Sequence, residues 1–389
     1  MNNVKNNFPM FKNHPDIVYF DNSALTFKPQ MVIDEGNWFY QECSFSTRTS
    51  DSLLGMEIIQ KFNYARKNIA NIVDASEEEL IFTSGTTESL NLIARMLKEK
   101  IEPGEIILSY FNHNSNIVPF FENFPHSSFK FIFVKNNQEL LNNINSNTRI
   151  IAIPEISNNF DVDFNMAEIY LKAKQYNAIL INDAAQAIVH KKVSLKHSDV
   201  IAFSGNKIYG PMGTGALVVK KQLLDQLKPV KWGGGQVQDL NLCSWNPKPT
   251  IAKFEPGTPN LPGIFQFSKA IDFVRSISYE AIQKHEKAIA DYLYDELNKV
   301  NNVQIDSQRG SHLVLFNIKN WPAQDVASYL GHHNIYVRSG VFCAHSFREI
   351  KKYQNSYIRV SIAFYNTKED VDKLIETLIK SGGNFLEFI

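Results

Sequence analysis

Between about residues 80 and 220 the chain alternates short apolar runs with segments whose apolar positions recur every three or four residues. The runs at 79–82, 105–110, 129–134, 149–154, 178–183, 200–204 and 215–219 are rich in Ile, Val and Phe and mostly lack period-two alternation. That texture predicts strands covered on both faces of a sheet. Helical patterns fall between them; in 88–98, Leu90, Ile93, Ala94 and Leu97 share one face. The alternation predicts an α/β fold with a mostly parallel central sheet. Ligands of such sheets sit beyond the carboxyl ends of the strands, so polar residues there are the candidates for chemistry.

After about residue 275 the pattern changes. A long amphipathic helix is predicted over 279–299, with Ile282, Ile289, Leu293 and Leu297 on one side. Shorter strands (313–318, 357–362) and helices (323–330, 369–379) follow, the last opened by the capping-box pattern Thr367-Lys368-Glu369-Asp370. The expected organisation is an N-terminal segment 1–15, a large domain 16–275 and a smaller α+β domain 276–389. A length of 389 residues suits two domains. Forty basic and forty acidic residues give no net charge, which argues against nucleic acid or an anionic membrane as the main partner. Cys43, Cys243 and Cys343 are odd in number and far apart, which excludes a disulfide framework and a CxxC metal knuckle. The first residues show no apolar signal-peptide core, and no run approaches the roughly 18 residues of a membrane span. A soluble, cytoplasmic protein of a reducing compartment is expected.

Three strand ends carry candidate chemistry. Ser84-Gly85-Thr86-Thr87-Glu88 follows one run and opens a helix. Backbone N–H groups and two hydroxyls at a helix start suit phosphate. The same residues can serve as an ordinary N-cap, and the spacing of a nucleotide P-loop is missing. Asp183 closes a strongly apolar run, with Gln186 three residues on; a carboxylate there can bind a metal, cap a helix or pair with a cation. Ser204-Gly205-Asn206-Lys207 follows the next run and precedes a Gly-rich stretch, although an isolated lysine is ordinarily a surface residue. Taken together, the three meet the needs of pyridoxal 5'-phosphate. Its phosphate needs donors, its ring nitrogen an acid that keeps it protonated, and its aldehyde a lysine for a Schiff base.

With Tyr19-Phe20-Asp21-Asn22-Ser23-Ala24, His113, Asn116-Ile117-Val118-Pro119, Phe254-Glu255-Pro256-Gly257-Thr258-Pro259-Asn260, Arg338-Ser339-Gly340, Cys343-Ala344, Arg359 and Tyr365-Asn366-Thr367, the chain resembles the fold-type I, class V aminotransferase-like enzymes. Within them it resembles the group II (SufS-type) cysteine desulfurases, in the family's order over almost the whole length. The resemblance implies that Lys207 carries the cofactor and Asp183 bonds its ring nitrogen. It implies that His113 stacks on the ring and assists proton transfer, and that Gln186 and Asn158 sit near the ring hydroxyl. Thr86, Thr87, Ser204 and Asn206 would hold the phosphate. Thr258 would reach the partner subunit's phosphate in a homodimer. Arg359 would grip the carboxylate of L-cysteine in a bidentate fork. Cys343 would take the sulfur as a persulfide and pass it to an acceptor or iron–sulfur scaffold protein, with L-alanine released.

Cys343 separates a desulfurase from aminotransferases and epimerases, although a free cysteine is ordinarily a small buried hydrophobe. Asn206, Asn114, Val341 and Phe342 stand where the family usually has other residues, mostly His, and Arg48 in 46–53 lacks the usual flanking pattern. Other class V enzymes (a selenocysteine lyase, an aminotransferase, an epimerase) and a weakly active scaffold for a sulfur-transfer partner are the alternatives. Product analysis separates the former, and the joint presence of Lys207, Asp183, Cys343 and Arg359 speaks against the latter. A dinucleotide-dependent oxidoreductase is disfavoured, because no GxGxxG follows the first strand and Gly233-Gly234-Gly235 comes late.

Overall fold

The computed structural model describes residues 4–48, 51–162, 164–351 and 356–386. The outermost residues of the expected N-terminal segment and small domain, 1–3 and 387–389, lie outside the described residues.

Seven strands form the central sheet: β1 (Leu80–Thr83), β2 (Gly104–Ser109), β3 (Phe129–Val134), β4 (Thr148–Pro154), β5 (Ile179–Asp183), β6 (Val200–Ser204) and β7 (Gly215–Val219). Their spatial order is β1-β7-β6-β5-β4-β2-β3. The pairs from β3 across to β6 are parallel, whereas β7 runs antiparallel to both β6 and β1. Neighbouring strand residues pack into different cores. Ile106, Leu108, Ile150 and Ala152 face one side with the helix Thr86–Lys98, and Ile107, Ile151 and Ile153 face the other. Both faces are apolar and buried, which is why the strands read as unbroken runs. The expected strands are found, each within a residue or so at its ends.

The helix Leu261–Ile277 packs on Gln30–Glu42 and Leu53–Asn71 and passes residue 275 without interruption. The chain turns at Ser278, whose φ is 78°, and its side chain accepts from Ala281 N–H to cap the helix Tyr279–Leu297. Beyond it, β8 (Val303–Ile305), β9 (Leu313–Ile318), β10 (Arg338–Gly340) and β11 (Tyr357–Ser361) make an antiparallel sheet in the order β8-β9-β11-β10. The final helix, Lys368–Lys380, carries the expected capping box at Thr367 and Asp370. The N-terminal stretch returns to this part of the molecule: Val18–Tyr19 pairs in parallel with Ile335–Tyr336, and Asp21 bridges to Ser361. Among the described residues no helix is long and apolar enough to cross a membrane.

Candidate active site

A cavity of about 630 Å³ opens where the carboxyl ends of β1, β5 and β6 meet the loops around β10 and β11. Thr86, Thr87, His113, Asn158, Asp183, Gln186, Ser204, Asn206, Lys207, Cys343 and Arg359 all line it. Thr258 does not; it is exposed in the turn after Phe254. Arg48 Nη2 donates to the Gly257 carbonyl at 2.9 Å beside that turn, and Thr49 and Ser50 of its segment lie outside the described residues.

The cup at the end of β1 depends on glycine. Gly85 has a φ of 156°, and a Cβ on the facing Gly215 would lie 2.5 Å from the Gly85 Cα; backbone packing this close admits no side chain. The helix begins at Thr86, two residues earlier than its apolar pattern announces, so both threonines sit in the first turn. Thr87 Oγ1 bonds to Ser115 Oγ at 2.8 Å. Glu88 accepts from Ser84 N–H at 2.5 Å and pairs with Lys231. Arg66 braces β1 from behind: its guanidinium forks onto Glu255 at 2.9 and 2.6 Å and donates to the Leu80 carbonyl, while Glu255 accepts from Phe82 N–H.

Asp183 ends β5 and is buried, with Oδ1 accepting from Ala185 N–H at 3.1 Å. Burial pushes its carboxyl up to about 6, against the pull of that N–H and of Lys207. Lys207 follows β6 in a single 3-10 turn, and its Nζ donates to the carbonyls of Ser23 and Ala24. Burial and the Arg359 charge lower its amine to about 8, against Asp21 and Asp183. His113 Nδ1 accepts from Ser115 N–H at 3.1 Å, which leaves the proton on Nε2. Burial, with Lys207 and Arg359 nearby, lowers this imidazole to about 4, so it is neutral near pH 7. Gln186 Nε2 donates to the Ser23 carbonyl at 2.9 Å, and Asn206 Nδ2 to that of Ala24 at 3.3 Å.

Arg359 rises from β11 with its guanidinium buried. Nη2 pairs with Asp21 Oδ1 at 2.8 Å and Nη1 donates to the Asn158 carbonyl at 2.9 Å. Arg338 takes the other oxygen of Asp21 at 2.7 Å, so one carboxylate bridges two arginines. The Phe342 ring lies 4.8 Å from the Arg359 guanidinium carbon. Cys343, next along, is exposed at the cavity wall. Asp21 and Arg338 carry no sequence signature of this bridge, although both lie within family-like segments, 19–24 and 338–340.

Pyridoxal phosphate fits this donor set. Ser23 Oγ, Thr86 Oγ1 and Arg359 Nε are buried without a hydrogen-bond partner, and all three residues line the cavity. Orphaned polar atoms of this kind call for a polar occupant. The cup can receive a phosphate, the buried acid a ring nitrogen, and the amine of depressed basicity an aldehyde.

The model of the family described as Aminotransferase class-V matches residues 18–374. A probable cysteine desulfurase of Ureaplasma parvum is 35% identical over 390 residues, covering 97% of each chain. Another, of Halalkalibacterium halodurans, is 32% identical over 400 residues, covering 98% of each. Among solved structures, an apo cysteine desulfurase from Thermococcus onnurineus NA1 superposes with a TM-score of 0.92 at 27% identity, covering 97% of each chain. The cysteine desulfurase CsdA of Escherichia coli gives a TM-score of 0.91 at 26% identity, covering 100% of this chain and 98% of that one.

Proposed function

The chain belongs to the aminotransferase class-V family, and we propose that within it this protein is a pyridoxal-phosphate-dependent cysteine desulfurase of group II type. The observation that carries the reading is that Lys207, just after β6 of the central sheet, and Cys343, just after β10 of the second sheet, line one cavity with Asp183 and Arg359. When bound, pyridoxal phosphate supplies an electron sink for charge that develops beside the substrate carboxylate.

The chain's own residues do the rest. Thr86, Thr87, Ser204 and Asn206 would hold the phosphate at the cup, and Asp183 would hold the ring nitrogen. His113, neutral and with its proton on Nε2, would cover the ring and could hand that proton on. Gln186 and Asn158 would serve the ring hydroxyl. Lys207 would anchor the aldehyde, and its amine, lowered to about 8, suits a base working near neutrality. Arg359 takes the substrate carboxylate. Its Nε is free while Asp21 and Asn158 occupy the other two nitrogens, so Asp21 must yield a nitrogen if the grip is two-pronged.

The Cys343 thiolate then attacks the substrate sulfur. An S–S bond forms, the C–S bond breaks, and its electron pair goes to the substrate carbon, which takes up a proton. Cysteine and enzyme thiol thus become alanine and enzyme persulfide, with no outside oxidant.

The terminal sulfur passes to an acceptor or iron–sulfur scaffold protein in the cytoplasm. A homodimer accounts for exposed Thr258, and for Leu53 and Tyr64, which leave 82% and 57% of their surface to solvent. Substitution tests the assignment. Cys343→Ser should keep the yellow colour of the bound cofactor and form no persulfide, and Lys207→Ala should lose the colour. Turnover of cysteine to alanine and sulfide at the parent rate by Cys343→Ser would exclude the role given to Cys343.

A further inference from the structure

We propose that Asn114 is a positioning residue for Cys343, clasping the loop that bears the thiol at the Cys343 carbonyl and at His345. The inference rests on the reading of Cys343 as sulfur acceptor given above. Phe342 and Cys343 have φ of 56° and 54°, two consecutive non-glycine residues in the left-handed region. Such residues crowd their own Cβ atoms and persist only where surrounding contacts over-determine them.

Those contacts can be traced. Ala344 N–H donates to the Val341 carbonyl at 2.9 Å and closes the turn. On its inner side, Asn158 Nδ2 donates to the Phe342 carbonyl at 2.8 Å, and the Phe342 ring is buried beside Phe111 and Leu315. The outer side depends on Asn114. Its backbone N–H donates to the Cys343 carbonyl at 2.7 Å. Its side-chain amide lies against His345, with Nδ2 2.9 Å from Nδ1 and Oδ1 accepting from the His345 N–H at 3.3 Å. Asn114 directly follows His113, whose imidazole faces the cavity. One short turn therefore carries both the residue covering the cofactor site and the clasp on the nucleophile, and it fixes their mutual distance.

Asn114 touches no reacting atom, so its loss should be felt in one step only. In the holoenzyme of Asn114→Ala, the change in visible absorbance on mixing with L-cysteine should keep the parent's rate and cysteine dependence. Formation of the Cys343 persulfide in the first turnover should slow about tenfold or more, as expected when a nucleophile drifts by a fraction of an ångström. His345→Ala removes the ring contact but keeps its own N–H on Asn114 Oδ1, so it should show part of the loss, and the double variant should be no slower than Asn114→Ala, which already removes both contacts. Without substrate, iodoacetamide should alkylate Cys343 faster in Asn114→Ala, with exposed Cys243 as the internal reference.

Parent-like persulfide formation in Asn114→Ala, or losses that add in the double variant, would overturn the clasp. Should Asn114→Ala fail to fold, His345→Ala carries the test at the ring contact, where any slowing of persulfide formation supports the clasp and a parent rate overturns it. Cys343→Ser, run alongside, separates the two claims. If it still turns over, the reading of Cys343 is at fault. If it is inactive while Asn114→Ala and His345→Ala behave as parent, only the clasp is wrong.

Discussion

Asp183→Asn should make the cofactor-free protein more stable above neutral pH while crippling the enzyme. The carboxyl is buried and raised to about 6 from 3.8. A shift of about two units, at roughly 1.4 kcal/mol each, corresponds to about 3 kcal/mol. The folded protein holds this proton more tightly than the unfolded chain does, so folding becomes less favourable as pH rises through the interval between the two values. The deficit is absent below about pH 4 and complete above about pH 6. Asparagine keeps an oxygen for the Ala185 N–H and carries no charge, so it removes the deficit. With unfolding entropy near 2 cal/mol/K per residue, 3 kcal/mol is about 4 °C in a chain of this length. Urea unfolding of stripped protein at about pH 7.5 and about pH 4 measures it, with a gain expected only at the higher pH. A variant less stable than parent at the higher pH, or equally stabilised at both, would refute the reasoning. Added pyridoxal phosphate should then stabilise the parent more than the variant, because ligand stabilisation follows affinity.

Other perturbations probe the frame and the amine. Arg66→Met strands the Glu255 carboxylate behind β1 and should cost about 3–5 kcal/mol in urea unfolding, much of which Glu255→Leu in the same chain should restore. Phe8 is fully buried against Tyr365, Phe273 and Tyr209, and Phe8→Ala should lower stability by about 3–5 kcal/mol, read from the same unfolding curves. Only the neutral form of Lys207 can attack an aldehyde, and its amine is lowered to about 8. Recombination of stripped protein with pyridoxal phosphate, followed by absorbance, should therefore speed up as pH rises and level off above about 8; a rate still climbing tenfold per unit beyond pH 9 would contradict it.

The strands of the central sheet were legible because burial on both faces leaves an unbroken apolar run, as in Ile150–Ile153, where every residue is inaccessible. The apolar pattern at the cup starts two residues inside the helix, because Thr86 and Thr87 belong to the first turn and carry no apolar signal. The antiparallel direction of β7 was not legible. It follows from the path of 205–214, and pairing direction leaves no mark on a strand buried on both faces. In the site, residue type at a strand end pointed to Asp183 and Lys207. The grip on Lys207 did not show, since it comes from the carbonyls of Ser23 and Ala24 and a carbonyl has no sequence signature. Nor did the bridge of Asp21 to Arg338 and Arg359, which joins groups more than three hundred residues apart.

The most direct test of the account is the mass of the intact protein after a single addition of L-cysteine, followed by peptide mapping of any gain. One sulfur atom on the peptide of Cys343, none on those of Cys43 or Cys243, and an equal amount of alanine are predicted. Alanine formed with no sulfur on the chain, or sulfur resident on Cys243, would contradict it.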